Sequence, residues 1–177
     1  RGATWSNMGL AHMAKGEYDK AIQCYEAALA EPGYEQSGAT WSNLGLAWAA
    51  KQDLANAIAC YQRALADTSY QSPGKAWYGM GNAYSAQERY EQAVECYLSA
   101  LKDPSFDQVG AASARLGEAY RLLDDPDRAI AQLQRALSDP QYTARGEACH
   151  TMGLAYADKG DHSEAIAHFQ EALEDPD

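Results

Sequence analysis

Basic residues are scarce in this 177-residue chain, and long hydrophobic runs are absent. The 14 Lys and Arg residues are outnumbered by 25 Asp and Glu residues, which gives a formal net charge of −11. Nucleic-acid binding and attraction to an anionic membrane are excluded from the expected functions, because both need clustered cations. No apolar run approaches the roughly 20 residues that cross a bilayer, so membrane insertion is excluded as well. The charge favours a partner that is basic or neutral and apolar.

Residue patterns that carry chemistry are also missing. The 4 cysteines contain no Cys-x2-Cys pair and the 4 histidines do not cluster, so no zinc site is expected. There is neither a Gly-rich phosphate loop nor a nucleophile elbow. We therefore predict no catalytic residue, no metal and no cofactor. Cysteines without partners are typical of a reducing compartment, which favours a cytoplasmic protein.

What the chain does contain is a glycine every 36 residues, at Gly9, Gly45, Gly81, Gly117 and Gly153. Glycines in such register indicate copies of one supersecondary unit, and hence a stacked array. We predict a single array over residues 1–177 with five repeats, approximately at 3–38, 39–74, 75–110, 111–146 and 147–177.

Each repeat contains two helical patterns separated by a short polar turn. The first pattern has apolar or small residues at i, i+3, i+4 and i+7, which form one face of an α-helix. In the second repeat this face comprises Trp41, Leu44, Gly45 and Trp48. The face of the following helix comprises Ala57, Tyr61, Ala64 and Leu65. The sequence thus predicts a first and a second helix in every repeat, each of about 13 residues.

The repeated glycine needs a structural reason, because glycine inside a helix costs about 1 kcal/mol relative to alanine. Close approach of the second helix would offset this cost. We expect the small residues opposite to be the alanines of the second helices, Ala21, Ala57, Ala93, Ala129 and Ala165.

These residues resemble the tetratricopeptide repeat, whose pattern is Trp-x2-Leu-Gly-x2-Tyr in the first helix and Ala-x3-Phe-x2-Ala in the second, followed by proline. Repeats two and three match nearly every position, and repeats four and five lose the tryptophan. The resemblance covers essentially the whole chain. It implies an all-α, right-handed superhelical solenoid of five helix-turn-helix repeats that acts as a protein-protein interaction scaffold and not as an enzyme.

The period of 36 residues exceeds the usual 34 of the family. The extra residues lie in a loop after the second helix that carries an aromatic residue, as at Pro32 and Tyr34. We expect this aromatic side chain to pack beneath the next first helix. The loop is similar to that of the pilotins, the tetratricopeptide lipoproteins of type IV pilus assembly.

The resemblance also implies where a partner binds. In the family, a second face of the first helices lines the concave groove of the superhelix, which takes up a peptide or a helix of a partner. Carried over position by position, the predicted groove comprises Ser6, Leu10, Met13, Ser42, Leu46, Lys75, Tyr78, Asn82, Glu118, Arg121 and His150. Its early positions are small and apolar, whereas its later positions are polar or charged, so we predict a partner segment with an apolar and a polar end.

Alternatives stay open at this point. The chain starts at Arg1 without a signal-peptide pattern and stops just after a helix, so we expect a segment of a longer protein. It could be an intramolecular regulatory or sensor module of that protein, a pilotin-like assembly factor, or an engineered array without a natural partner. The last helix carries Ile166, Phe169 and Leu173 with no polar capping helix after it, which favours end-to-end self-association.

Overall fold

A computed structural model describes residues 1–175. Pro176, the proline that follows the last helical pattern of the sequence, lies outside the described residues, as does Asp177. The described part of the chain forms ten α-helices and no strand. They are α1 (Gly2–Ala14), α2 (Tyr18–Leu29), α3 (Ser37–Ala50), α4 (Leu54–Ala66), α5 (Pro73–Ala86), α6 (Tyr90–Lys102), α7 (Val109–Leu122), α8 (Pro126–Leu137), α9 (Arg145–Lys159) and α10 (His162–Glu174). The all-α class and the two helices per repeat are confirmed.

The helices belong to two compact units, Arg1–Glu88 with α1 to α5 and Arg89–Asp177 with α6 to α10. In unit one, α1 packs on α2 and α3 on α4, and α3 and α5 also pack on the second helix that precedes each of them. In unit two, α7 packs on α8 and α9 on α10, and α7 and α9 contact the preceding second helices α6 and α8 in the same way. Each unit is therefore a stack of two helix pairs and one further helix.

The ring of Tyr61 explains two of the glycines in unit one. A Cβ atom at Gly45 would lie 2.8 Å from Cε1 of Tyr61, and one at Gly79, on the next first helix, would lie 2.5 Å from Cζ of the same ring. Tyr61 is only 2% exposed. The two glycines therefore leave open the space that this ring fills between α3 and α5.

The expected contact between glycine and alanine is correct only in part. In repeats one and two the atoms nearest to the glycine belong to the tyrosine ring of the second helix. In repeats four and five the alanine backbone is also close, since a Cβ atom at Gly117 would lie 3.0 Å from the carbonyl oxygen of Ala129. The sequence pattern gives the helix face on which this tyrosine lies but not the direction of its ring, so the contact of the ring with the glycine was not predicted.

The loops after α4 and α8 fold back onto the first helix of their own repeat. Asp67 accepts hydrogen bonds from the backbone N–H of Gly38 at 2.8 Å and from the Ser37 hydroxyl at 2.5 Å, at the N-terminus of α3. Asp139 accepts the equivalent bond from the N–H of Gly110 at 2.7 Å. Carboxylates favour this end of a helix, where backbone N–H groups have no partner within the helix.

The loop after α2 carries an aromatic residue, Tyr34, that contacts two first helices. A Cβ atom at Gly2 of α1 would lie 2.5 Å from the ring of Tyr34. The hydroxyl of Tyr34 also lies 2.7 Å from Oγ1 of Thr40 on α3. The expected contact with the next first helix is confirmed, and the contact with the repeat's own first helix adds to it.

One residue with positive φ lies in the turn between the two helices of every repeat. In the first and last repeats it is glycine, with φ of 72° at Gly16 and 83° at Gly160. The other three repeats place Gln52, Glu88 and Asp124 there, with φ of 64°, 60° and 60°. Only glycine adopts this conformation without steric cost, so three of the five turns are strained.

Candidate functional site

The first helices of unit one lie side by side and carry almost no charge. Helix α3 has no charged side chain, α1 has no lysine, arginine or acidic residue, and Lys75 is the only charged side chain of α5. The neighbouring helix α2, by contrast, carries Asp19, Lys20 and Glu26. A helix face in contact with water is usually rich in charged side chains. This surface therefore differs from the rest of the strongly acidic chain.

Two leucines are exposed on this surface. Leu10 on α1 is 46% exposed, and Leu46, at the equivalent position on α3, is 53% exposed. Met13 is half-buried and packs against the core cluster that contains Tyr25 and Leu44. We call Leu10, Leu46 and the exposed part of Met13 the apolar strip. It coincides with the predicted apolar end of the groove.

The prediction for Ser6 needs correction. Its side chain is 8% exposed, and its Oγ lies 3.1 Å from Oγ1 of Thr40 in a buried hydrogen bond between α1 and α3. The hydroxyl therefore serves the contact between two repeats and is not available to a partner. Ser42, at the equivalent position of α3, is half-buried.

The predicted polar end is divided between the two units. In unit one, α5 presents Lys75, which is exposed, and Tyr78 and Asn82, which are half-buried. These three residues are on α5, which is the next first helix after the two that carry the apolar strip. Unit two carries the three remaining predicted residues, Glu118, Arg121 and His150.

The two charged residues that the groove prediction places on α7, Glu118 and Arg121, are paired. The carboxylate of Glu118 lies 3.1 Å from a guanidinium nitrogen of Arg115, and Arg121 lies 3.4 Å from Asp158 on α9. Exposed pairs of this kind contribute little to stability. They do neutralise the face of α7, which therefore offers neither a basic nor an acidic patch to a partner.

A cleft of about 840 Å³ opens beside His150 in unit two, lined by α7, α9 and α10. His150 is exposed, and its ring centroid lies 5.5 Å from that of Phe169. Leu173 forms another part of the lining and is 86% exposed. The exposure of Trp5 and Met8 on α1, at 38% and 40%, was missed, because both match the core positions of the repeat pattern.

The buried surroundings of the four cysteines indicate a structural role. Cys24, Cys60, Cys96 and Cys149 are buried and free. Burial raises the pKa of Cys60 to about 11 and that of Cys96 to about 12, so both stay protonated at neutral pH.

Within residues 1–175, no group of three or more His, Cys, Asp and Glu side chains is placed to hold a metal ion. None of the helices described has the length and apolar character needed to span a bilayer.

Comparison with known proteins gives a consistent family assignment. Four tetratricopeptide repeat models match residues 6–73, 74–102, 112–141 and 146–175. No curated protein sequence is significantly similar to the chain.

Solved structures share the fold. A crystal structure of MamA is 25% identical, covers 94% of this chain and 93% of its own, and superimposes with a TM-score of 0.80. A double mutant of MamA from RS-1 is 18% identical, with coverages of 98% and 93% and a TM-score of 0.84. YrrB, described as a tetratricopeptide repeat protein with an unusual peptide-binding site, is 18% identical, with coverages of 97% and 84% and a TM-score of 0.78.

Proposed function

Because the chain belongs to the tetratricopeptide repeat family, we propose that it is a protein-interaction scaffold that binds a partner segment on the first helices of unit one. The apolar strip would hold the apolar end of that segment. Lys75, Tyr78 and Asn82 on α5 would hold its polar end. The scaffold binds and does not catalyse.

The observation that carries this proposal is the exposure of Leu10 and Leu46 on neighbouring helices that lack charge. Each leucine leaves about half of its surface in water, and covering that half would stabilise a complex by about 0.8 to 1.5 kcal/mol, half of the value for a fully exposed leucine. Exposed apolar surface on neighbouring uncharged helices is the kind of surface that interaction sites in soluble proteins use. The peptide-binding site in the name of YrrB is in line with such a role.

The charge of the chain bears on the choice of partner. A net charge of −11 attracts basic segments and repels acidic ones at ordinary ionic strength. The apolar strip itself has no charged neighbour on α1 or α3. We therefore assign it a partner segment that is neutral and apolar or basic.

Three designed helical peptides with the same leucine face test this proposal. One has a neutral outer face, one a lysine face and one a glutamate face. Calorimetric titration should show binding of the neutral and lysine peptides and weaker binding of the glutamate peptide. Leu46→Asp should weaken binding at least about tenfold, because the new carboxylate would be desolvated on binding. Tyr78→Ala should weaken it to a smaller extent.

Gln62→Asp is the matched control, since Gln62 is exposed on α4 and the substitution adds the same charge. It should bind like the unmodified chain. Equal affinities for Leu46→Asp and Gln62→Asp, or no binding of any of the three peptides, would count against the proposal.

The compartment can be proposed on chemical grounds. Four buried free thiols suit a reducing compartment such as the cytoplasm, where no oxidant competes with folding. Refolding under oxidising and reducing conditions tests this: the yield of monomeric, folded protein should be higher with reductant. An equal yield of folded monomer under both conditions would contradict the assignment to a reducing compartment.

A further inference from the structure

The hydroxyl of Tyr61 on α4 is a polar group deep in unit one that has no hydrogen-bond partner. Its side chain is 2% exposed, and its oxygen bonds to no other residue within residues 1–175. Burial raises the pKa of Tyr61, so the hydroxyl stays protonated and keeps a proton to donate. Such an unbonded group costs stability, and it is therefore rare in folded proteins.

Gly79 on α5 opens a way from the surface to this hydroxyl. A Cβ atom at Gly79, which is half-buried, would lie 2.7 Å from the hydroxyl oxygen of Tyr61. In the first repeat, the equivalent hydroxyl of Tyr25 is also unbonded but is completely buried. There, Asn43 stands at the position equivalent to Gly79 and supplies a side chain. We call the space that the missing side chain of Gly79 leaves above the Tyr61 hydroxyl the Gly79 notch.

Ser42 on α3 supplies a second hydroxyl on this side of α5. Between α1 and α3, the equivalent Ser6 bonds to Thr40 at 3.1 Å. Between α3 and α5, the position of Thr40 is taken by Ala76, which is buried and has no hydroxyl. Ala76 precedes Gly79 by three residues, so both lie on one side of α5. In the part of the chain that the structure describes, Ser42 makes no hydrogen bond and keeps a donor and an acceptor.

The Gly79 notch adjoins the surface to which a partner is assigned. Leu46 of the apolar strip follows Ser42 by four residues on α3. On α5, Lys75 precedes Gly79 by four residues and Asn82 follows it by three. Residues at these spacings share one helix face. A segment bound on the apolar strip would therefore bring its polar end over the notch.

We propose that the Gly79 notch binds the side-chain amide of a glutamine in the partner segment. The amide oxygen accepts a hydrogen bond from the Tyr61 hydroxyl, and the amide N–H group donates one to the oxygen of Ser42. A carboxylate has no N–H group to offer Ser42, and the net charge of −11 repels it. This inference rests on the proposed function, because the apolar strip holds the segment that reaches the notch.

Three neutral-faced helical peptides with the same leucine face test the assignment. They differ at one position beside that face, which is glutamine, leucine or glutamate. Each is made with this position at either end of the face, so that both binding directions are covered. In calorimetric titration, Tyr61→Phe should weaken binding of the glutamine peptide about fivefold and leave that of the leucine peptide unchanged. Ser42→Ala should act in the same direction, and the glutamate peptide should bind the unmodified chain more weakly than the glutamine peptide.

Tyr25→Phe is the matched control, because it removes the equivalent hydroxyl where Asn43 fills the space of the notch. It should bind all three peptides like the unmodified chain. In urea denaturation, both phenylalanine variants should be at least as stable as the unmodified chain, because the hydroxyl that each loses has no partner. Tyr61→Phe should thus lower affinity without lowering stability, which loss of a structural contact would not do.

The outcomes separate this inference from the proposed function. If none of the peptides binds, or if Leu46→Asp binds as well as the unmodified chain, the proposed function fails and the inference fails with it. If Leu46→Asp weakens binding but Tyr61→Phe does not, or weakens the glutamine and leucine peptides equally, only the amide site is overturned. The same holds if Tyr25→Phe has the effect of Tyr61→Phe, or if the glutamate peptide binds as tightly as the glutamine peptide.

Discussion

Replacing Gly45 by alanine should destabilise the protein, although the same change stabilises most helices. In an unconstrained helix interior, alanine is favoured over glycine by about 1 kcal/mol. Here the new methyl group would lie 2.8 Å from Cε1 of Tyr61, well inside the 3.4 Å at which ordinary van der Waals contact begins. The ring cannot move away freely, because Gly79 lies against its other side.

The size of the effect follows from these two opposing contributions. Overpacking a tight core costs about 1 to 3 kcal/mol. Because the ring is held on both sides, the cost should fall near the upper end of that range. After subtracting the gain in helix propensity of about 1 kcal/mol, the free energy of unfolding should fall by about 2 kcal/mol.

Urea denaturation followed by circular dichroism measures this change. The comparison is valid if the slope of the transition is the same in both proteins. The second half of the test places Gly45→Ala in a Tyr61→Ala background, where the ring is gone and alanine at position 45 should become stabilising. A single variant as stable as the unmodified chain, or a change of the same sign in both backgrounds, would refute the reasoning.

Three further predictions concern the turns, the loop carboxylate and the thiols. Gln52→Gly should raise the free energy of unfolding by about 0.5 kcal/mol by relieving positive φ, and Gly16→Ala should lower it by about 1 kcal/mol, both read from denaturation midpoints. Hydrogen bonds from the side chains of Ser37 and Ser69 lower the pKa of Asp67 from 3.8 to about 2. This carboxylate therefore stabilises the fold above pH 3.8 and loses that effect as the pH falls through about 2, so melting curves of Asp67→Asn and the unmodified chain should differ at pH 7 and converge in acid. A thiol reagent at pH 8 should label the cysteines at least about a hundredfold faster in denaturant than in the native state, and equally fast native labelling would contradict their burial.

The repeat period, the all-α class and the paired helices could be predicted because they depend on local patterns that recur in register. Apolar periodicity sets each helix, and Gly45 or Gly117 marks where helices approach closely. The nearest neighbour of Gly45 could not be predicted, because a helical pattern gives the face of Tyr61 but not the tilt of its ring. The exposure of Trp5 and Met8 could not be predicted either, since the repeat pattern describes residues of a repeat that has another repeat on each side.

The candidate site was predictable to a lesser degree. Leu10 and Leu46 were predicted to lie off the core face, and the structure exposes both, while their binding of a partner stays a prediction. Ser6 was misassigned because its burial depends on Thr40, which replaces the alanine that repeats three to five carry at that position. The binding groove across all five repeats stays a prediction, and so does the similarity of the loop to that of pilotins.

Helix α10 has a single buried residue, Ala165, whereas α2, α4 and α6 each have five. With so little burial to hold it, α10 should open more often than the other helices, and its backbone amides should exchange with solvent fastest. Since binding stabilises only the state that binds, any segment that packs on α10 should increase the protection of its amides, while the protection of the α4 amides stays constant.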